Sequence, residues 1–209
     1  MSGAWEIPGP QVLVGILTRE VVSSAWAKAY RDMQLPTNSH VQMYAGMPFD
    51  HARNTACQEA LTNGFQWVFF LDDDVVAPPD TVQRLINRNV PIVSGLYYRR
   101  HEGIQACMQM GPGEWVKDFQ VGTVIEVGAV GAGCLLIHRS VLEKMKKPWF
   151  EWMCDREDLA ANLRRSEDFE FCTKAGAAGF KVIVDTSIQC KHLGFGKAEV
   201  GGKFSPIGV

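Results

Sequence analysis

The chain has 209 residues, 46% of them hydrophobic and 21% charged, with 21 Lys and Arg against 23 Asp and Glu, a formal charge of −2. That balance removes any global electrostatic reason to expect a nucleic-acid or membrane surface as partner, and the length suits a single domain with one sizeable core. The six cysteines are scattered without a CxxC pair, as in a cytosolic protein with reduced core thiols; the opening MSGAWEIPGPQ has no basic region, and no stretch approaches the roughly 18 apolar residues of a membrane span.

Val12 to Thr18 (VLVGILT) is an apolar run with a polar end, the pattern of a strand buried on both faces of a parallel sheet. A helix is predicted from about Ser23 to Met33 and a strand from Val41. A second helix over Asp50 to Asn63 has Ala52, Ala56, Ala60 and Leu61 on one stripe and Asn63-Gly64 as its stop. The strand Trp67 to Leu71 follows; Pro78-Pro79-Asp80 opens a short helix to about Arg88, and Val90 to Gly95 is the next buried strand. Strand and helix alternate, which predicts an α/β fold with a Rossmann-like, mainly parallel central sheet flanked by helices.

The second half, from about residue 96 to 194, changes character. Residues 96 to 127 read as a small antiparallel portion, and Gly128 to Arg139 as a glycine-rich turn feeding an apolar strand, with a Ser140-capped helix after it. Residues 148 to 165 read as a mobile or partner-dependent loop. Ser166 caps a helix that ends at Gly179, KVIVD is a last strand, and the glycine-rich tail 195 to 209 is expected to be flexible.

The most informative stretch is FFLDDDVV, Phe69 to Val76. In open α/β sheets ligands bind beyond the carboxyl ends of strands, where Asp72, Asp73 and Asp74 sit. Clustered like charges are unfavourable unless a cation joins them, and oxygen ligands select hard ions such as Mg²⁺ or Mn²⁺. The plainer reading, a cap on the following helix, suits Asp80 better. An EF-hand is excluded because Val76 and Ala77 stand where an oxygen ligand and a glycine are needed.

In order along the chain stand VLVGILTRE, the ARN segment, WVFFLDDDVVAPPD, IVSGLYYRR, VGAGCLLIHRSVLEKM, SEDFEFC and CKHLG. Together, from Val12 to Gly194, they resemble glycosyltransferase family 2 and its relatives, metal-dependent enzymes of the A-type fold. The resemblance implies transfer of a sugar from a nucleotide-sugar, a UDP-sugar first among them, to an acceptor hydroxyl with inversion. The acceptor class stays open among a glycan, a small molecule, a protein and a hydroxymethylated DNA base.

It also implies roles. Asp72 and Asp74 match the D-x-D aspartates, and His192 the late histidine that completes a site for Mn²⁺ or Mg²⁺; standing alone, His192 reads first as a buried structural histidine, and its position after KVIVD is what raises the ligand reading. Asp168 matches the general base, with Glu167 as fallback, although two acids opening a helix also simply complement its dipole. Thr18, Arg19, Arg53, Asp73 and Gly133 fall where relatives contact the nucleotide-sugar. Arg99 falls near the diphosphate or the acceptor, and surface salt bridging is the alternative for the arginines. The Gly131-Ala132-Gly133 turn would let donor and acceptor approach the backbone. Trp149 and Trp152 would stack on an acceptor, or else pack the core. The clusters Arg99-Arg100-His101, Lys144-Lys146-Lys147 and Arg164-Arg165 suit a phosphate-bearing acceptor or plain solvation.

Two other classes fit parts of the same pattern. A haloacid dehalogenase-like phosphatase would use Asp72 as nucleophile, Asp74 as general acid and Ser94 as its second motif. A non-catalytic module would bind nucleotide without turnover.

Overall fold

The computed structural model describes residues 11–99, 105–154, 163–194, 196–198 and 204–206. The first half runs β1 (Val12–Thr18), α1 (Ser24–Arg31), β2 (His40–Ala45), α2 (Phe49–Thr62), β3 (Trp67–Asp72), β4 (Val75–Val76), α3 (Thr81–Asn87) and β5 (Ile92–Leu96). The second half begins with β6 (Met108–Gly111), β7 (Glu114–Trp115), β8 (Val124–Val127), β9 (Ala129–Val130), β10 (Cys134–His138) and α4 (Arg139–Lys144). It continues through β11 (Met153–Cys154), β12 (Leu163–Arg165), α5 (Glu167–Ala177), β13 (Val182–Gln189), β14 (Lys191–Leu193), β15 (Gly196–Ala198) and β16 (Phe204–Pro206).

The fold is mixed α/β around a seven-stranded sheet in the order β2-β1-β3-β10-β5-β13-β8. β1 pairs in parallel with β2 and β3, and β13 with β5, whereas β10 runs antiparallel between β3 and β5 and β8 antiparallel along β13. Five strands therefore point one way, and their carboxyl ends share an edge. The uninterrupted apolar run of β1 has its reason in two cores. Leu13 and Leu17 pack on the side that holds α2, α4 and α5, and Val12, Val14 and Ile16 on the side that holds α1 and α3. The stripe of α2 is as expected, with Ala52, Ala56 and Ala60 buried. No helix among the described residues is long and apolar enough to cross a membrane.

Several local expectations are corrected. The cap of α4 is His138, whose Nδ1 accepts from Ser140 N, because Ser140 already lies within the first turn. Asp80 occupies the N-cap position of α3 but makes no capping bond; its carboxylate lies 3.5 Å from Arg84 instead. Within the tail expected to be flexible, β15 pairs with β14 and β16 with β15, extending a four-stranded sheet that ends on β4. Of the loop expected at 148 to 165, residues 155–162 lie outside the described residues, and Trp149 and Phe150 are buried. Arg100 and His101 also lie outside them.

Candidate active site

β3 ends at Asp72, and the chain turns at once into the two-residue β4. The turn is fixed at several points. Asp72 N donates to Gly133 O at 3.1 Å, Asp73 N to Leu17 O at 3.2 Å, and the Trp26 indole N–H to Asp72 O at 2.9 Å. The Asp73 carboxylate accepts from Arg19 N at 2.9 Å, binding the ends of β1 and β3 together.

β4 then pairs antiparallel with β14, His192 opposite Val75, and Leu193 N donates to Asp74 O at 2.6 Å. This pairing carries the late histidine to the acidic corner. His192 Nε2 lies 3.4 Å from Asp74 Oδ1. Its Nδ1 is 2.8 Å from the Tyr98 carbonyl, and a carbonyl only accepts, so Nδ1 carries the proton. In the neutral ring the Nε2 lone pair is thus turned toward Asp74, the arrangement by which a histidine is oriented as a metal ligand. The Tyr97 ring meets the imidazole edge to face, 5.4 Å between centroids at 89°.

Asp72 behaves differently. Both its oxygens accept from Arg53 Nη2, at 3.0 and 3.3 Å, while Arg53 Nε reaches Glu167 Oε1 at 3.3 Å. Arg53 is 2% exposed and lies near the Phe70 and Phe150 rings at 5.1 and 5.9 Å. Burial disfavours its charge, but Asp72 and Glu167 outweigh that and raise its pKa. Arg53, expected to contact a diphosphate, lines the cleft as a buried guanidinium already engaged by two carboxylates of its own chain. Burial holds the Asp72 carboxyl above the ordinary range, against the pull of Arg53 and with the help of Asp74. The expected metal set of Asp72, Asp74 and His192 is not assembled: among the described residues no three His, Cys, Asp or Glu side chains converge as an ion site. Asp74 and His192 face one another; Asp72 is taken by the arginine.

α5, which lines the same cleft, opens with Glu167 and Asp168. Burial, then the Asp168 charge, push the Glu167 carboxyl from 4.5 up to about 7, with Arg53 opposing. Asp168 Oδ1 accepts from Ser166 Oγ and from Phe169 N at 2.8 Å, and Oδ2 from Ala132 N at 3.2 Å. The carboxylate is thus fixed against both the helix start and the glycine-rich turn.

These groups line one cleft of about 460 Å³, in which Arg19, Asp73, Asp74, Trp152, Asp168 and His192 meet. Arg53, Asp72 and Glu167 line it too; the remaining expected residues lie elsewhere. Thr18 faces a neighbouring cavity that shares Arg19 and Phe49 with the cleft, and its hydroxyl accepts from Glu20 N. Gly133 has a different reason from the one expected. A Cβ there would come within 2.9 Å of Val75 and 3.2 Å of both Asp72 Oδ2 and the Tyr97 ring, so the close approach is by the chain's own side chains. At Gly131 the Tyr97 hydroxyl would lie at 2.1 Å. Trp149 is 1% exposed and donates to Leu142 O, which makes it core and not an acceptor platform; Trp152 does reach the cleft. Ser94 is fully buried inside the sheet, bonded to the Gly95 and Cys134 carbonyls, and cannot serve as the second motif of a phosphatase.

Tyr97 is the cleft residue that sequence reasoning passes over. It stands one place beyond the carboxyl end of β5, so the rule that singled out Asp72 would have found it. Burial pushes its hydroxyl well above the ordinary value, and that oxygen accepts from Gly133 N at 3.0 Å.

No protein-family model matches the chain, and no curated protein matches it. Among solved structures, the crystal structure of A197 from STIV is similar to it, with a TM-score of 0.66 at 20% identity over 95% of each chain, a likeness of fold.

Proposed function

We propose that this chain is a metal-dependent glycosyltransferase that moves a sugar from a nucleotide-sugar, a UDP-sugar first among the candidates, to an acceptor hydroxyl with inversion. The observation that carries the reading is the facing of Asp74 and His192 across 3.4 Å in a cleft that Asp168 also lines. A pair able to share a cation and a fixed carboxylate lining one space are what a displacement at a sugar carbon needs.

Asp74 and His192 would hold Mn²⁺ or Mg²⁺, which supplies positive charge to the departing nucleoside diphosphate. Arg53 is the buried tie that keeps Asp72 and Glu167 at a fixed separation. Asp168, oriented by Ser166, Phe169 and Ala132, takes the acceptor hydroxyl's proton. As the acceptor oxygen bonds to the anomeric carbon, the bond from that carbon to the phosphate oxygen breaks, and its electron pair leaves with the nucleotide. Arg19, at the cleft mouth near Phe49, is placed to meet the donor's anionic part.

A thermal-shift panel of nucleoside diphosphates and nucleotide-sugars, with and without Mn²⁺, tests this reading. One nucleotide should stabilise the protein only when metal is present, and Asp74→Ala should abolish the effect; a flat panel overturns the proposal. Asp168→Asn should keep nucleotide binding while transfer falls about 10²- to 10⁴-fold, the range for loss of a general base.

A further inference from the structure

Beside the cleft lies a second cavity of about 410 Å³, within the roughly 300–1,000 Å³ of small-molecule sites. Cys107, Ser166 and Asp168 line both spaces, so Asp168 stands at their junction. The second cavity is also lined by Trp115, whose ring lies 5.6 Å from that of Phe169, and by Arg99, 4.5 Å above the Trp115 ring.

The two arginines lining this cavity differ in a way that decides its chemistry. Arg165 is matched within the protein, 2.9 Å from Glu170 and bonded to Thr173 Oγ1. Arg99 is not: among the described residues its side chain has one polar partner, the neutral Gln105 Oε1 at 2.9 Å. Its backbone is fixed, since Arg99 N donates to Gln105 O at 2.8 Å beside the Tyr98–Ala106 bridge. The cavity therefore presents an anchored guanidinium whose charge no described carboxylate offsets and most of whose five N–H donors are unused, a fork shaped for carboxylate or phosphate oxygens. The Asp168 carboxylate, which lines the same cavity, repels an anion placed beside it, so a ligand carrying both a hydroxyl and an anionic group is favoured with the anion at Arg99 and the hydroxyl toward Asp168.

We propose that this second cavity is the acceptor subsite, and that it selects a small hydroxyl acceptor bearing a carboxylate or phosphate, held by Arg99 with its reacting hydroxyl turned to Asp168. The inference rests on the glycosyltransferase reading for the word acceptor, but the anion selectivity is a property of the cavity itself. In the transfer step the acceptor contributes the oxygen that bonds to the sugar carbon and gives its proton to Asp168; the anionic group is unchanged.

The test is calorimetric binding of glucose, glucuronate and glucose 6-phosphate to the full chain, with UDP and Mn²⁺ titrated separately. At least one charged sugar should bind about tenfold or more tighter than glucose, the scale of a hydrogen-bonded charge. Glucuronate and glucose 6-phosphate report which anion is preferred. Arg99→Gln should erase the preference, and Arg99→Lys, which keeps the charge but not the fork, should retain part of it. Equal affinity for all three sugars, no binding by any, or a preference that survives Arg99→Gln overturns the inference. UDP binding separates the two readings. Loss of the UDP signal with an Arg99-dependent preference intact removes the transfer reading and keeps the anion subsite, whereas intact UDP binding without the preference removes the subsite alone.

Discussion

The two acidic pairs of the cleft, Asp72 with Asp74 and Glu167 with Asp168, are built on one plan from unrelated local structure. One follows a strand end and the other opens a helix. In each, the first acid is bound to the same buried guanidinium, Arg53, and the second is not, though all four line the cleft. The second acids then differ in what holds them: Asp74 meets an imidazole, whereas Asp168 accepts from a hydroxyl and two backbone amides. The lesson is a division of labour. Under the proposed function, the carboxylate facing a histidine would share a cation, and the one fixed by neutral donors would receive a proton without moving.

The largest test of this plan removes its centre. Arg53→Met would leave Asp72 and Glu167 without their cation while keeping a flexible chain between Phe70 and Phe150. Breaking a buried ion pair from one side costs about 3–5 kcal/mol. Urea denaturation should show a loss of that order, and Arg53→Met with Glu167→Gln should recover part of it. A loss under about 1 kcal/mol, the scale of surface pairs, would mean that Arg53 is not the tie between Asp72 and Glu167.

A second test uses pH to separate the pairs. The Glu167 carboxyl titrates near 7 in the folded protein against an ordinary 4.5, so between those values the folded state binds more protons than the unfolded one. This contribution to stability is fully present below 4.5 and is lost as pH rises through 7, about 3 kcal/mol over the window. The midpoint of urea unfolding followed across that range should fall in the wild type, and Glu167→Gln should flatten that component of the curve. A Glu167→Gln profile parallel to the wild type would show that the elevated group is not Glu167.

Which parts of this arrangement are legible in the sequence follows from how far each depends on distant residues. The buried strands, the alanine stripe of α2 and the acidic strand end are local patterns, and the described structure has them where the periodicity puts them. The direction of β10 is not local: CLLIH is equally apolar read either way, and only its insertion between β3 and β5 makes it antiparallel. Trp149 and Trp152 stand in the one segment PWFEW, and nothing in it tells that the first turns into the core and the second into the cleft. Arg53 looked like a ligand for phosphate because its two carboxylates come from 19 and 114 residues away. His192 meets Asp74 through β4 and β14, strands of two and three residues too short to give a period.

The smallest effect tests the Asp168 side of the comparison alone. Ser166 stands at the N-cap of α5, where a serine ordinarily bonds a backbone amide and its loss costs about 1 kcal/mol through the helix. Here its side chain makes no capping bond and donates to Asp168 Oδ1 instead. Ser166→Ala should therefore act through Asp168: about 0.5–1.5 kcal/mol of stability for one hydrogen bond. Phe169 N and Ala132 N would still hold the carboxylate, so transfer should fall less than for Asp168→Asn, with nucleotide binding unchanged. The discriminating measurement is the double variant. If Ser166 works only by way of Asp168, then Ser166→Ala added to Asp168→Ala should change stability by no more than a few tenths of a kcal/mol, since a partner already removed cannot be lost twice. An undiminished second loss would return Ser166 to ordinary helix capping and leave Asp168 held by the backbone alone.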